Sequence, residues 1–235
     1  MRVFLPFPKP LIQAKFLNRP QRFLVEIELK NGSRCLIYCA NPGALKGCEV
    51  NEAPVLVWDS SSLIRKRKYT WRAIKVGPTW VGTDTHISNL LVELSLRRRL
   101  IPGLFQYDIL KKEPKGESGI RLDFLLKDGK KRCYIEIKSA IIVQDRSVQF
   151  PDSKSPRTIK QLQELITEAN NGHRAILFFL IQRGDVNEMR INKNCDPEFN
   201  YAFNRALVEG VEIIAVKHNI TKAGFGFPTV IPVKY

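Results

Sequence analysis

From Phe23 to Leu29 the chain alternates apolar and polar residues (FLVEIEL), turns at Asn31-Gly32 and alternates again over Arg34 to Cys39. A period of two marks strands with one buried face, and Asn-Gly closes hairpins. Asn41-Pro42-Gly43 is a further turn; Glu49 to Trp58 reads as a broken strand, and Trp71 to Val76 and Thr79 to Val81 flank Gly77-Pro78. Nothing in residues 1–81 reads as a convincing helix. About five short strands predict a small barrel of the oligonucleotide-binding (OB) type.

Beyond residue 81 the grammar changes. Asn89 to Leu100 has helical spacing, with Ser88 or Asn89 as its cap and Pro102-Gly103 as its stop. Arg157 to Asn171 is a second helix ended by Gly172, and Glu198 to Glu209 a third closed by Gly210. Ala175 to Ile181 (AILFFLI) is apolar throughout, the mark of an interior strand covered on both faces, and Val211 to Val216 is another. Residues 82–235 therefore predict a mixed sheet with helices on both faces, an α/β domain behind the barrel.

The segment GIRLDFLLKDGKKRCYIEIKSA (residues 119–140) holds the chemistry. Leu122, Phe124 and Leu126 alternate on one arm of a hairpin, and Cys133, Ile135 and Ile137 on the other. With Asp128-Gly129 as a two-residue turn, paired positions sum to 257, and Asp123, Glu136 and Lys138 project to one side with Asp123 diagonal to Glu136. Two adjacent carboxylates repel unless a cation lies between them or one holds a proton. Mg²⁺ or Mn²⁺ would satisfy them, with Lys138 steering an attacking water toward a phosphodiester. An Asp–Glu–Lys–Arg surface network, with Arg121 and Lys138 neutralising the acids, fits the spacing equally.

Charge narrows the partner. The chain has 38 Lys plus Arg against 23 Asp plus Glu, a formal +15, and residues 1–81 hold 14 of those bases against 5 acids. Such an excess captures polyanions; DNA is the expected partner and RNA the alternative. Arg65, Lys66, Arg67 and Lys68 form the densest run, with Trp71 close behind; Arg19 and Arg22 add to the same domain. This strip predicts phosphate contacts and base stacking, the plain alternative being a solvated loop with Trp71 in the core. The five cysteines form no CxxC pair and have no histidine to complete a zinc site. Residues 1–10 read as neither signal peptide nor membrane span, so a cytoplasmic protein with reduced thiols and no membrane partner is expected. His86, His173 and His218 are scattered and receive no role.

Asp123 followed by Glu136-Ile137-Lys138, on a hairpin between two helices, resembles the PD-(D/E)XK nuclease core. NRPQRF (Asn18–Phe23), CANPGALKGC (Cys39–Cys48), RKRKYTW (Arg65–Trp71), RLDF (Arg121–Phe124) and CYIEIKS (Cys133–Ser139) occur in order. FPD (Phe150–Asp152), RTIKQLQEL (Arg157–Leu165), RAILFFLIQR (Arg174–Arg183) and GVEIIA (Gly210–Ala215) follow. Together they resemble the sugar fermentation stimulation protein family over nearly the whole chain. The resemblance implies an OB barrel joined to a nuclease-like domain, DNA binding with little sequence preference, and a role in regulating sugar (maltose) use.

It also implies Asp123, Glu136 and Lys138 as the catalytic set, with Asp123 and Glu136 on the metal. Whether that set still cuts, or serves an inactive DNA- or RNA-binding module, stays open. Arg157 and Lys160, one turn apart on the second helix, and Gln161 are expected at a phosphate. Departures from the family pattern are Tyr38 and Gln161 where histidines are usual, Thr158 for a glycine and Ile120 for a serine. Glu93 lies one residue from the position of an acidic ligand in related nucleases, which rotates a helical side chain by about 100°.

Overall fold

The computed structural model describes residues 2–60 and 67–235, so Arg65 and Lys66 of the basic run lie outside the described residues. The first strand, β1 (Leu5–Pro6), does not join the barrel. The barrel is built from β2 (Leu11–Gln21), β3 (Leu24–Leu29), β4 (Arg34–Tyr38), β5 (Pro54–Asp59) and β6 (Tyr69–Val76). Antiparallel pairing runs β4-β3-β2-β5-β6, and the parallel pair Tyr38–Thr70 closes β4 onto β6. This is the expected OB barrel, with Phe16, Ile27, Val57 and Trp71 filling its core. The long β2 escaped the sequence pattern because two register shifts, at Phe16/Asn18 and Asn18/Gln21, break its alternation.

A hairpin strand, β7 (Thr79–Gly82), leads into α1 (His86–Arg97) and then β8 (Asp108–Lys112), β9 (Phe124–Asp128) and β10 (Lys131–Ala140). After them come β11 (Ile142–Gln144), β12 (Ser147–Phe150), α2 (Pro156–Asn170), β13 (Arg174–Ile181) and β14 (Glu188–Ile191). The chain ends with α3 (Pro197–Val208), β15 (Glu212–Thr221), β16 (Gly224–Ile231) and β17 (Val233–Lys234). Seven strands form one mixed sheet in the order β1-β16-β15-β13-β10-β9-β8, with β10, β13 and β15 parallel. A small sheet, β11-β12-β14-β17, stands beside it.

One face of the large sheet packs Phe124, Ile135 and Phe178 against Leu91 and Val92 of α1 and against Leu56, Ala73 and Trp80 of the barrel. The other packs Leu177 and Phe179 against Leu162 and Leu165 of α2 and Phe199 and Phe203 of α3. β13 lies between two parallel neighbours and is buried from Ala175 to Ile181, as its apolar run requires. The barrel is thus not a separate bead: it shares a hydrophobic cluster with the sheet. The expected division at residue 81 leaves out one connection, since β1 pairs with β16 and ties the amino terminus into the second sheet.

Three local expectations shift. The hairpin pairs sum to 259, not 257: Asp128 pairs with Lys131, and Gly129-Lys130 make the turn with Gly129 at φ 58°. A Gly at the first central position is what a II′ turn asks for. The two-residue slip keeps Phe124, Leu126, Cys133, Ile135 and Ile137 on their predicted face, whereas Leu122, beyond the end of the ladder, joins the opposite cluster with Leu162 and Leu165. α1 begins at His86, three residues early, because the Asp84 carboxylate accepts from the His86 N–H at 2.9 Å. Asn89 is therefore inside the helix, not its cap. α2 and α3 start on Ser155 and Asp196, whose side chains accept from the N–H groups of Thr158 and Phe199.

Gly224 (φ 144°) meets β1 so closely that an added Cβ would stand 2.2 Å from the Leu5 carbonyl and 2.7 Å from the Pro6 Cα. Gly224→Ala is expected to push β1 off the sheet at a cost of roughly 1–3 kcal/mol. Hydrogen exchange reads it: the amides of Phe4 and Phe7, bonded to the carbonyls of Phe225 and Ala223, lose their protection.

Candidate metal centre and nucleic-acid interface

The ladder between β9 and β10 stops at Phe124–Ile135, and Asp123 lies just beyond it. Its N–H donates to the Ile135 carbonyl at 3.0 Å, which turns the side chain toward the continuing strand. There Oδ2 accepts from the Ile137 N–H at 2.7 Å and Oδ1 from the Asn89 side-chain amide at 2.9 Å. Glu136 is 3% exposed on the α2 side of β10. Its Oε1 accepts from Lys138 Nζ at 2.8 Å, while Oε2 is buried without a partner. Lys138 also donates to Gln161 Oε1 at 2.6 Å, and the Gln161 amide reaches the Arg121 carbonyl at 3.4 Å.

Burial pushes the Glu136 carboxyl up to about 7; Lys138 and Arg157 pull it down, and the Asp123 carboxylate pushes it further up. That coupling puts the two acids within electrostatic reach of one another. A buried orphan oxygen beside a second carboxylate is what a hard cation would complete, and each Asp123 oxygen keeps a lone-pair direction beyond its one hydrogen bond. Among the described residues no three His, Cys, Asp or Glu side chains gather as a ligand set. Two carboxylates with the rest of the shell left to water and phosphate suit Mg²⁺ or Mn²⁺ and do not suit a cage that excludes solvent.

Glu93 stands elsewhere. It accepts from Arg97 at 3.0 Å and Lys112 at 2.6 Å, and these partners outweigh its burial to hold the carboxyl below the usual range. Asn89, one turn earlier on α1, is the residue that touches Asp123; its amide gave no titratable signal in the sequence. Arg121 faces Glu113 at 3.4 Å rather than Glu136.

The predicted phosphate-binding residues divide. Arg157 and Lys160 are exposed on α2, whereas Gln161 is buried against Lys138 and orients it. Arg22 is exposed. The Arg19 side chain is only 5% exposed: its guanidinium donates to the carbonyls of Arg22, Asn41, Gly43 and Ala44 and so holds the NPG turn together. That turn also has its amides occupied, Gly43 by the Asn41 side chain and Ala44 by Asp152. Lys68 pairs with Asp59 at 3.1 Å, and Arg67 is half-buried. Trp71 is wholly buried, its indole N–H bonded to the Ala73 carbonyl, so it cannot stack on a base.

Residues 17–83 match the family model described as the SfsA N-terminal OB domain, and residues 86–224 that of the sugar fermentation stimulation protein RE domain. The chain belongs to the sugar fermentation stimulation protein family. A sugar fermentation stimulation protein homolog of Geotalea uraniireducens is 33% identical over 220 residues, covering 94% of this chain and 95% of its own. The homolog of Thioalkalivibrio sulfidiphilus is 35% identical over 233 residues, covering 97% and 98%. The structure of Pyrococcus furiosus SfsA in complex with Ca²⁺ superimposes over the full length of both chains with a TM-score of 0.89 at 24% identity. The two-part fold is therefore that of the SfsA family, and no described helix is long and apolar enough to cross a membrane.

In this SfsA-family chain a cleft of about 390 Å³ opens between barrel and sheet, lined among others by Arg22, Pro42, Asn89, Lys138, Asp152 and Lys154. Asn89 and Lys138 are the side chains that touch Asp123 and Glu136, so the cleft leads to the carboxylates. Its walls meet where the Ala44 N–H donates to Asp152 Oδ2 at 3.1 Å. α2 pins the loop ahead of Asp123: Glu168 accepts from the Glu117 N–H and Glu164 from the Ser118 N–H, both at 2.9 Å.

Because the folded Glu136 carboxyl holds its proton to about pH 7 and a free glutamate to 4.5, the folded chain binds the extra proton between those values. Stability is therefore lost as pH rises through this window, by about 3 kcal/mol in full. Urea unfolding in chelator should show Glu136→Gln gaining on the natural protein by that order between pH 5 and 8. A constant difference would mean that Glu136 is not held protonated.

Proposed function

We propose that this protein binds DNA with little sequence preference and holds a divalent cation on Asp123 and Glu136 that acts on the phosphodiester backbone. The observation that carries the reading is the unpartnered, buried Oε2 of Glu136 beside Asp123, with Lys138 fixed between Glu136 and Gln161. Bound there, Mg²⁺ or Mn²⁺ would supply Lewis-acid polarisation of a phosphate. That a solved relative is a Ca²⁺ complex supports a divalent cation in this family.

The chain's own residues have separable tasks. Asn89 and the Ile137 N–H fix the Asp123 carboxylate, which removes the cost of ordering it when a ligand arrives. Glu136 and Gln161 hold the Lys138 ammonium at the cleft floor, where it can orient a water or balance charge on a phosphate. Arg157 and Lys160 offer exposed charge one helical turn apart, suited to the phosphates beside the one at the carboxylates. A role in regulating sugar use is what the family resemblance implies; the residues themselves speak for a grip on a polyanion.

A purely structural acidic pair has one observation in its favour: both Asp123 oxygens are already hydrogen-bonded. The same experiment separates the two readings. With Mg²⁺ or Mn²⁺ the natural protein should nick plasmid or cut single strands. Asp123→Asn should lower the rate by at least about 100-fold, the upper end of what losing an outer partner of a metal site costs. An inert natural protein across these substrates would leave only the binder.

Binding is tested apart from cutting. In chelator, log affinity should fall linearly with log salt, and Arg157→Gln with Lys160→Gln should flatten the slope by roughly 0.7–0.9 per lost contact. An unchanged slope would place the phosphates away from α2.

A further inference from the structure

Trp71 faces the barrel core, yet the residues beside it face outward and fall in register. Leu24 pairs with Tyr38, Tyr38 with Thr70, and Thr70 with Trp58, a row across β3, β4, β6 and β5. Directly paired residues share a face, so these four side chains project from the barrel together. Arg72, two positions beyond Thr70, joins them; its guanidinium lies over the Trp58 ring at 4.8 Å and is bound by the Asp84 carboxylate. The row lines a pocket of about 600 Å³ whose rim includes Arg67 and His86.

Thr70 is 4% exposed, and its hydroxyl has no hydrogen-bond partner. A buried hydroxyl with nothing to bond costs free energy unless a ligand supplies the partner. The pocket thus combines a flat aromatic and guanidinium lining, one unused donor and acceptor at its base, and an arginine at its edge. Its volume lies within the roughly 300–1,000 Å³ that encloses small organic ligands.

We propose that this pocket takes one unstacked nucleobase, so that the nucleic acid the protein grips is single-stranded where it crosses the barrel. The inference rests on the nucleic-acid reading above and names its substrate class. Base faces stack on aromatic rings and on guanidinium planes, the Thr70 hydroxyl can bond a base edge, and Arg67 meets the adjoining phosphate. A duplex cannot enter, because its bases are paired and stacked on their neighbours. The pocket and the carboxylate cleft lie on opposite sides of one thin partition. Ala40 and His86 line the pocket, Asn41 and Thr85 the cleft, and the Ala40 carbonyl accepts from both the N–H and the hydroxyl of Thr85. A single strand anchored by its base beside that partition continues toward Asp123 and Glu136.

The test is fluorescence anisotropy in chelator, with a labelled single-stranded oligonucleotide, an abasic strand of the same length, and a duplex. The base-containing strand should bind most tightly. Tyr38→Ala should weaken it by roughly 5- to 150-fold, the span that losing one stacked aromatic covers. Thr70→Val should weaken it by about 2- to 10-fold while the abasic strand's affinity holds and the melting temperature does not fall, since that hydroxyl has no protein partner to lose. Equal affinity for natural and abasic strands overturns the base pocket while the polyanion reading stands, and so does an unchanged affinity in both variants. Failure of every strand to bind at low salt overturns both.

Discussion

The Glu136 carboxylate is the feature on which the rest of the site turns. One oxygen holds Lys138 and the other has no partner, in a position almost closed to water. A buried, half-satisfied acid destabilises a fold unless neighbours restore its charge balance. Here Lys138 does part of that work and is itself steadied by Gln161 from α2. The remaining deficit is what gives the site its affinity for a proton below about pH 7 and, on the proposed reading, for a divalent cation above it.

That arrangement needs support from every layer of the molecule. β10 is an inner strand, flanked by β9 and β13, which fixes the backbone that carries Glu136 and Lys138. α1 supplies Asn89 to Asp123 from one face, and α2 supplies Gln161 from the other. The barrel completes the cleft, and it is held in place by a common hydrophobic cluster and by polar contacts at the junction. Gln182 donates to the Asp84 carbonyl and to the Ser88 hydroxyl, and its own carbonyl accepts from the Gly82 N–H. An added Cβ on Gly82 would stand 2.2 Å from Gln182 Oε1, so this approach of barrel and sheet requires a glycine. The basic barrel and the acidic pair are consequently parts of one surface.

Strands with one wet and one dry face were legible in the sequence, and so were the uniformly apolar run of β13 and the helix stops at Gly172 and Gly210, whereas the caps at Ser155 and Asp196 went unread. β8, β11, β12, β14, β16 and β17 were not legible, nor was the attachment of β1, because short or irregular strands gain their stability from the neighbour they pair with. The predicted register was two residues out. A slip by an even number conserves the hydrophobic pattern, so only the turn geometry around Gly129 could decide it. Of the residues expected at the nucleic acid, Arg19 and Trp71 are parts of the fold. Asn89, Thr70 and Trp58 carried no charge pattern or motif to mark them, and only the packing of α1 on the sheet and the pairing of distant strands place them.

The sequence alone determined which side of the alternating strands β3, β4, β9 and β10 is buried, since the alternation of apolar residues dictates it whatever the partner strand. It therefore placed Glu136 and Lys138 together on the polar side of β10 and concentrated positive charge in the barrel. What the tertiary structure decided is how much water reaches those side chains and which neutral groups hold them. Desolvation of Glu136, the hold of Asn89 on Asp123 and the outward row at the barrel pocket all depend on segments far apart in the chain. Their chemistry arises from the dielectric and the partners that packing supplies, and neither is a property of a residue in its local sequence.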